Sequence, residues 1–268
     1  SRSVSAFRIG GGGSLTSAIG SPFALPLAEA LGMLVDPAGE SLYATGLHEG
    51  VGSVVSFAVA RSGRLTARGG APFPIGGVPD GLAMSRDGRL FAAALPDEGK
   101  VALFEIVEPG VLAPVPGWPA AIPGILRPGP LAFLPSTAGT EPAPQLLAVG
   151  QAPPEDAAVS VVVPLPGGPA SVSALAFGLV GGTLDVAPDE GRDRLFVSLP
   201  GIHRIAVVEG AAAGRPVQAP GSPFAVPPVA HQPAGRAVGP GGGRLHVIYR
   251  STNNLTTFVV REDVSLVP

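Results

Sequence analysis

A β-propeller of four-stranded antiparallel blades is the fold this sequence predicts. Three observations carry the prediction: an internal repeat of about fifty residues, glycine and proline scattered along the whole chain, and short apolar segments between them. The chain has 268 residues, of which 39 are glycine and 32 proline, while 46% are hydrophobic and 14% charged. Glycine and proline interrupt helices and are disfavoured in strand centres, so their even scatter cuts the chain into short strands joined by turns. The apolar share separates it from a disordered Gly/Pro-rich chain, because it supplies enough Val, Leu, Ile and Phe for a core.

The repeat has two registers. The first is a strand, a Pro/Asp/Gly turn and a second strand: Met33-Leu-Val-Asp-Pro-Ala-Gly-Glu-Ser-Leu-Tyr-Ala, then Leu82-Ala-Met-Ser-Arg-Asp-Gly-Arg-Leu-Phe-Ala, recurring at Leu131, Leu184 and Arg236. Its turn positions Pro37, Arg86, Pro135, Pro188 and Pro240 are spaced by 49, 49, 53 and 52 residues. The second register begins at Val4, Val54, Val101, Val159, Ile205 and Leu255, each start leading into a hairpin turn, Gly-containing in the first five, and a short strand. A third marker, Gly20-Ser-Pro-Phe, Gly70-Ala-Pro-Phe and Gly221-Ser-Pro-Phe, closes three repeats.

Each unit therefore reads as four short strands, A to D. A four-stranded sheet cannot hide both of its faces alone, and radial stacking hides them while leaving only short edges. The repeats run approximately 1–23, 24–73, 74–120, 121–177, 178–224 and 225–268, as one domain. The count is six blades, the first of them partial because the chain opens on a C strand; five and seven are the alternatives. Pro135 to Pro144 form an insertion between strands A and B of the fourth repeat, with the composition of a surface loop.

Charge and residue usage exclude several functions. The net charge is −3 with no basic run to track a phosphate backbone, which argues against nucleic acid as a partner. There is no cysteine, hence no disulfide and no thiolate metal site. No apolar run is long enough to span a membrane. Gly10-Gly-Gly-Gly sits in a hairpin turn and lacks the strand-to-helix context of a phosphate loop. The Gly-x-Ser-x-Gly elbow of serine hydrolases is absent.

Pro79-Asp-Gly-Leu-Ala-Met-Ser-Arg-Asp-Gly-Arg-Leu-Phe-Ala-Ala-Ala, a C strand of the type Val-x-x-Phe, then Gly-x-Leu and Gly-Ser-Pro-Phe together resemble the blade pattern of bacterial 6-phosphogluconolactonase-like and YVTN propellers. The resemblance covers nearly the whole chain. It implies that His, Arg and Glu side chains of catalytic members surround the mouth of a central channel. His231-Gln-Pro-Ala is the closest match to their His-containing entry segment, and Tyr249-Arg-Ser-Thr stands where a Glu is expected after the following strand.

In a four-stranded blade every B-to-C loop lies on the same face as every D-to-A loop, so this face gathers the candidate residues. They are His48, Glu49, Asp80, Asp97, Glu98, Glu155, Asp156, His203, Gln232 and Asn253 for binding, with His231, Arg127 and Arg250 as the catalytic candidates: a base and an oxyanion or carboxylate clamp. The three histidines and the carboxylates come from different blades without ligand spacing, so neither a metal nor a cofactor is expected. His246, alternating with apolar neighbours, is expected to be a strand histidine. Taken together, a well-kept scaffold with a departed catalytic pattern predicts a non-enzymatic extracytoplasmic module, periplasmic, secreted or on the cell surface, that binds a protein or glycan. The alternative is a lactone hydrolase working at the channel mouth.

Overall fold

The computed structural model describes residues 2–134, 145–189, 192–227, 232–250, 252 and 254–268. The architecture is all-β, and the only helical segments among the described residues are 3-10 turns of three residues. Two compact units divide the chain: Ser1–Leu95 with Ala102–Val115, and Pro96–Val101 with Pro116–Pro268.

The first unit opens on a hairpin whose two arms are each broken in the middle: β1 (Ser3–Val4) and β2 (Phe7–Ile9) against β3 (Leu15–Ser17) and β4 (Phe23–Ala24), with β2 paired to β3 and β1 to β4. Two four-stranded sheets follow in chain order, β5 (Glu29–Val35), β6 (Ser41–His48), β7 (Val51–Val59) and β8 (Leu65–Gly76), then β9 (Leu82–Met84), β10 (Leu90–Leu95), β11 (Lys100–Glu108) and β12 (Val111–Pro114). The second unit holds β13 (Pro128–Leu134), β14 (Leu146–Gln151), β15 (Ala158–Leu165) and β16 (Gly168–Ala176), then β17 (Val186–Asp189), β18 (Arg194–Leu199), β19 (Arg204–Glu209) and β20 (Val217–Gln218) with β21 (Phe224–Ala225) also on β19, and finally β22 (Pro233–Val238), β23 (Arg244–Tyr249), β24 (Leu255–Val260) and β25 (Leu266–Val267). Neighbours in each sheet are antiparallel, as short turns require.

Consecutive sheets stack face to face within each unit. Val4, Leu25 and Leu27 of the opening hairpin pack on Leu42, Ala44, Val55 and Phe57. The opposite face of that second sheet, through Tyr43, Val54 and Ile75, packs on Phe91, Ala93 and Phe104. In the second unit Leu146, Ala148 and Val161 meet Leu195, Val197 and Val208, while Phe196 and Val207 meet Leu245, Val247 and Phe258. The run Leu195 to Leu199 is buried without alternation, the pattern of a strand covered on both faces. This is the stacking that the repeat required.

The Gly-x-Pro-Phe marker turns out to set the register of strand D against strand C. Phe23 pairs with Val4, Phe73 with Val54 and Phe224 with Ile205, in each case the first residue of the C-strand register. Gly117-Trp-Pro-Ala is a fourth, degenerate copy that sequence inspection passed over, with Ala120 bridged to Val101. All four pairs are nineteen residues apart, although the hairpins inside them differ, from Glu108↔Val111 to Glu209↔Val217.

The marker also explains why the outer strands break. Ser21 Oγ accepts the Ala6 N–H at 3.0 Å and Ser222 Oγ accepts the Val207 N–H at 2.9 Å, two residues into each C strand. A side-chain hydroxyl thus fills the rung that the interrupted backbone leaves open. The glycine before it needs a left-handed backbone, with φ of 88° at Gly20 and 75° at Gly221.

One turn position differs from expectation. Pro188 lies inside β17, paired with Leu195, rather than in the turn. Because β17 is an edge strand, bonded only to β18, a residue lacking an N–H is accommodated there. The Pro135 to Pro144 insertion lies outside the described residues.

Candidate functional site

The second unit brings three of the expected residues together. His203 ends a 3-10 turn, Pro200–Ile202, at the top of β18, and takes a left-handed backbone with φ of 55°. Gln232 precedes β22 with the same φ, and Arg250 follows β23. The backbone of Gln232 links them: its N–H donates to His203 Nδ1 at 3.1 Å and its carbonyl accepts the Arg250 N–H at 3.2 Å. Two non-glycine residues in the left-handed region are uncommon, and this pair is held there by the bonds it makes.

The bond to Nδ1 fixes the tautomer. With that lone pair occupied by an N–H, the neutral imidazole of His203 carries its proton on Nε2. His203 therefore supports the Gln232 loop through Nδ1.

Gln232 and Arg250 line an open depression of about 250 Å³ whose other walls are Pro153, Gly181, Leu184, Pro200 and Gly201. The walls are backbone-tight: a Cβ on Gly181 would meet Gly201 Cα at 2.8 Å. Arg250 is exposed, and among the described residues it makes no ion pair and no carboxylate lines the depression. A hollow lined by an arginine and a glutamine, with no carboxylate from the described residues, suits a carbonyl or carboxylate oxygen.

The remaining candidates are placed elsewhere. Arg127 is engaged by Asp97, Nη1 to Oδ1 at 3.1 Å, and does not line the depression; Glu98 sits with Asp97 in the 3-10 turn Pro96–Glu98. Glu155 and Asp156 rim a separate hollow in the β14–β15 loop. In the first unit, His48 Nδ1 lies 2.9 Å from the Pro26 carbonyl, so His48 donates to it and pins the loop between β4 and β5; beside it Glu49 adopts φ of 50°. Asp80 donates its backbone N–H to Ala94. His231 and Asn253 lie outside the described residues.

His246 is the strand histidine expected, sitting in β23 with Nδ1 2.9 Å from Thr257 Oγ1 on the facing strand. No group of three metal-ligating side chains exists among the described residues. No helix among them is long and apolar enough to cross a membrane. Sequence reasoning missed Gln151, the last residue of β14, whose side chain is buried at the edge of the Glu155 hollow. A polar residue ending an apolar strand carries no signal of its own.

No known family model matches the sequence, and no curated protein matches it. Solved structures do. A putative 6-phosphogluconolactonase from Bacteroides uniformis is similar over 100% of this chain and 77% of its own, with a TM-score of 0.75 and 18% identity. A second, from Bacteroides fragilis, gives 0.71 and 16% over 99% and 75%. The periplasmic gluconolactonase of Pseudomonas aeruginosa gives 0.70 and 16% over 97% and 74%. With its succession of four-stranded antiparallel sheets, the chain has a β-propeller fold similar to that of these structures.

Proposed function

We propose that the protein hydrolyses a sugar lactone in the depression lined by Gln232 and Arg250. The observation that carries this reading is that Arg250, exposed and without an ion pair among the described residues, lines the same hollow as Gln232, where no carboxylate of the described residues stands. The names of the neighbours, two putative 6-phosphogluconolactonases and a periplasmic gluconolactonase, favour hydrolysis over the non-enzymatic module expected from sequence. The periplasmic neighbour also supports an extracytoplasmic setting for the reaction.

In this reading the lactone carbonyl oxygen accepts hydrogen bonds from Arg250 and Gln232. Water adds to the carbonyl carbon, the developing oxyanion is held by the same donors, and the ring C–O bond breaks as the leaving oxygen takes up a proton. His231, adjacent to Gln232 in sequence, is the proposed base that removes the proton from water. The product carboxylate rests on Arg250 until release. His203 acts one step away, holding the Gln232 loop through Nδ1.

The test is acid release from glucono-δ-lactone and 6-phosphoglucono-δ-lactone above the spontaneous rate. Arg250→Ala and His231→Ala should each lower kcat/KM by about a hundredfold or more, the usual cost of losing an oxyanion donor or a general base. A purified, folded protein that hydrolyses neither lactone faster than buffer does would remove the proposal.

A further inference from the structure

The loop joining β14 to β15 builds a second hollow that shares no lining residue with the Arg250 depression. Its volume is about 440 Å³, within the range of small-molecule sites. Glu155, half-buried, and Asp156, exposed, stand on its rim, and Leu126, Ala158 and Ala176 supply apolar surface.

Two carboxylates on a loop would mean little without the residue beneath them. Gln151 lines the hollow and is only 2% exposed. Its Oε1 accepts the Leu126 N–H at 2.8 Å, which orients the amide so that Nε2 is the group left over. The backbone around it is fixed as well, because the Gln151 carbonyl accepts both the N–H and the hydroxyl of Thr183, at 2.6 and 2.9 Å. Nε2 has no acceptor among the described residues. An amide held by its oxygen in the wall of a hollow, with its nitrogen unpaired, offers a donor to an acceptor bound there.

We propose that this hollow binds a neutral sugar. Each sugar hydroxyl both accepts and donates, so one hydroxyl can take the Gln151 Nε2–H while neighbouring hydroxyls donate to Glu155 and Asp156. The other ligand classes fit less well. Two rim carboxylates, and no lining cation among the described residues, oppose phosphosugars and sugar acids, while the Gln151 N–H groups oppose a cation. The site does not depend on the lactonase reading, since its residues take no part in that chemistry.

Saturation-transfer NMR with the methyl glycosides of glucose, galactose, mannose and N-acetylglucosamine tests it, with 6-phosphogluconate as the anionic comparison. At least one glycoside should bind saturably, and Gln151→Glu, which keeps the acceptor and removes the donor, should weaken it tenfold or more. Asp156→Ala, an exposed change that leaves the fold intact, should weaken it as well and decides the matter if Gln151→Glu fails to fold. Arg250→Ala should leave glycoside binding unchanged even while abolishing lactone hydrolysis. The proposal is overturned if no glycoside binds, if binding survives both substitutions in the hollow, or if 6-phosphogluconate binds more tightly than the glycosides in a Gln151-dependent way.

Discussion

Tyr43 Oη accepts the Gly110 N–H at 3.1 Å across 67 residues of sequence, joining the β6 strand of one sheet to the β11–β12 turn of the next. Ser56 Oγ donates to the carbonyl of the same glycine at 3.2 Å, so both polar groups of the turn are met by buried side chains. Removing the hydroxyl leaves the Gly110 N–H without its partner. Tyr43→Phe should therefore destabilise the protein by about 1–2 kcal/mol, read as a lower denaturation midpoint with an unchanged slope.

Alkaline pH should act through the same residue. Burial pushes the Tyr43 hydroxyl above its ordinary value, the Gly110 hydrogen bond only partly opposing it, and burial raises Tyr249 too. An acid whose folded pKa is raised holds its proton longer folded than unfolded, so its contribution is complete below the unfolded tyrosine value of about 10 and is lost as pH climbs above it. Thermal stability should fall above about pH 10, and Tyr43→Phe should flatten that fall; a loss equally steep in the variant would contradict the assignment.

The marker serines make a sharper test, because the two copies do the same work in different sheets. Ser21→Ala and Ser222→Ala each leave one strand N–H, on Ala6 or Val207, without its acceptor. Each should cost about 1 kcal/mol, with Thr substitution recovering part of it. Hydrogen exchange at Ala6 and Val207 should accelerate in the matching variant alone.

Gly117→Ala should be among the most damaging single changes in the chain. The position has φ of 82°, and an added Cβ would meet the backbone of Gly167, which cannot rotate out of the way as a side chain would. A loss of about 2 kcal/mol or more is expected. By contrast Asp97→Asn should change stability by less than about 0.5 kcal/mol, since its pair with Arg127 stands 68% and 34% exposed and is screened by solvent.

Much of the scaffold was legible because propeller blades repeat what they need. The C-strand starts Val4, Val54 and Ile205 were identifiable by their recurrence, and the Gly-x-Pro-Phe copies marked the same units. Gly117-Trp-Pro-Ala escaped because Ala120 keeps the backbone bridge while losing the aromatic ring that made the others conspicuous. The site was legible only as an address. Loop alternation pointed to His203, Gln232 and Arg250, yet nothing in the letters says that His203 spends Nδ1 on the Gln232 amide while Arg127 is occupied by Asp97. Gln151 was invisible because its meaning comes from a bond to Leu126, twenty-five residues earlier.

The constant nineteen-residue span from Val4 to Phe23, repeated at Val54, Val101 and Ile205, works as a ruler built into four of the repeats. Growth of the chain is thereby channelled: residues added between the inner strands lengthen a loop, whereas a single residue gained or lost inside the ruler slides the aromatic off its mark. Variation that alters ligand choice has somewhere to go, and variation that would unhitch the perimeter does not.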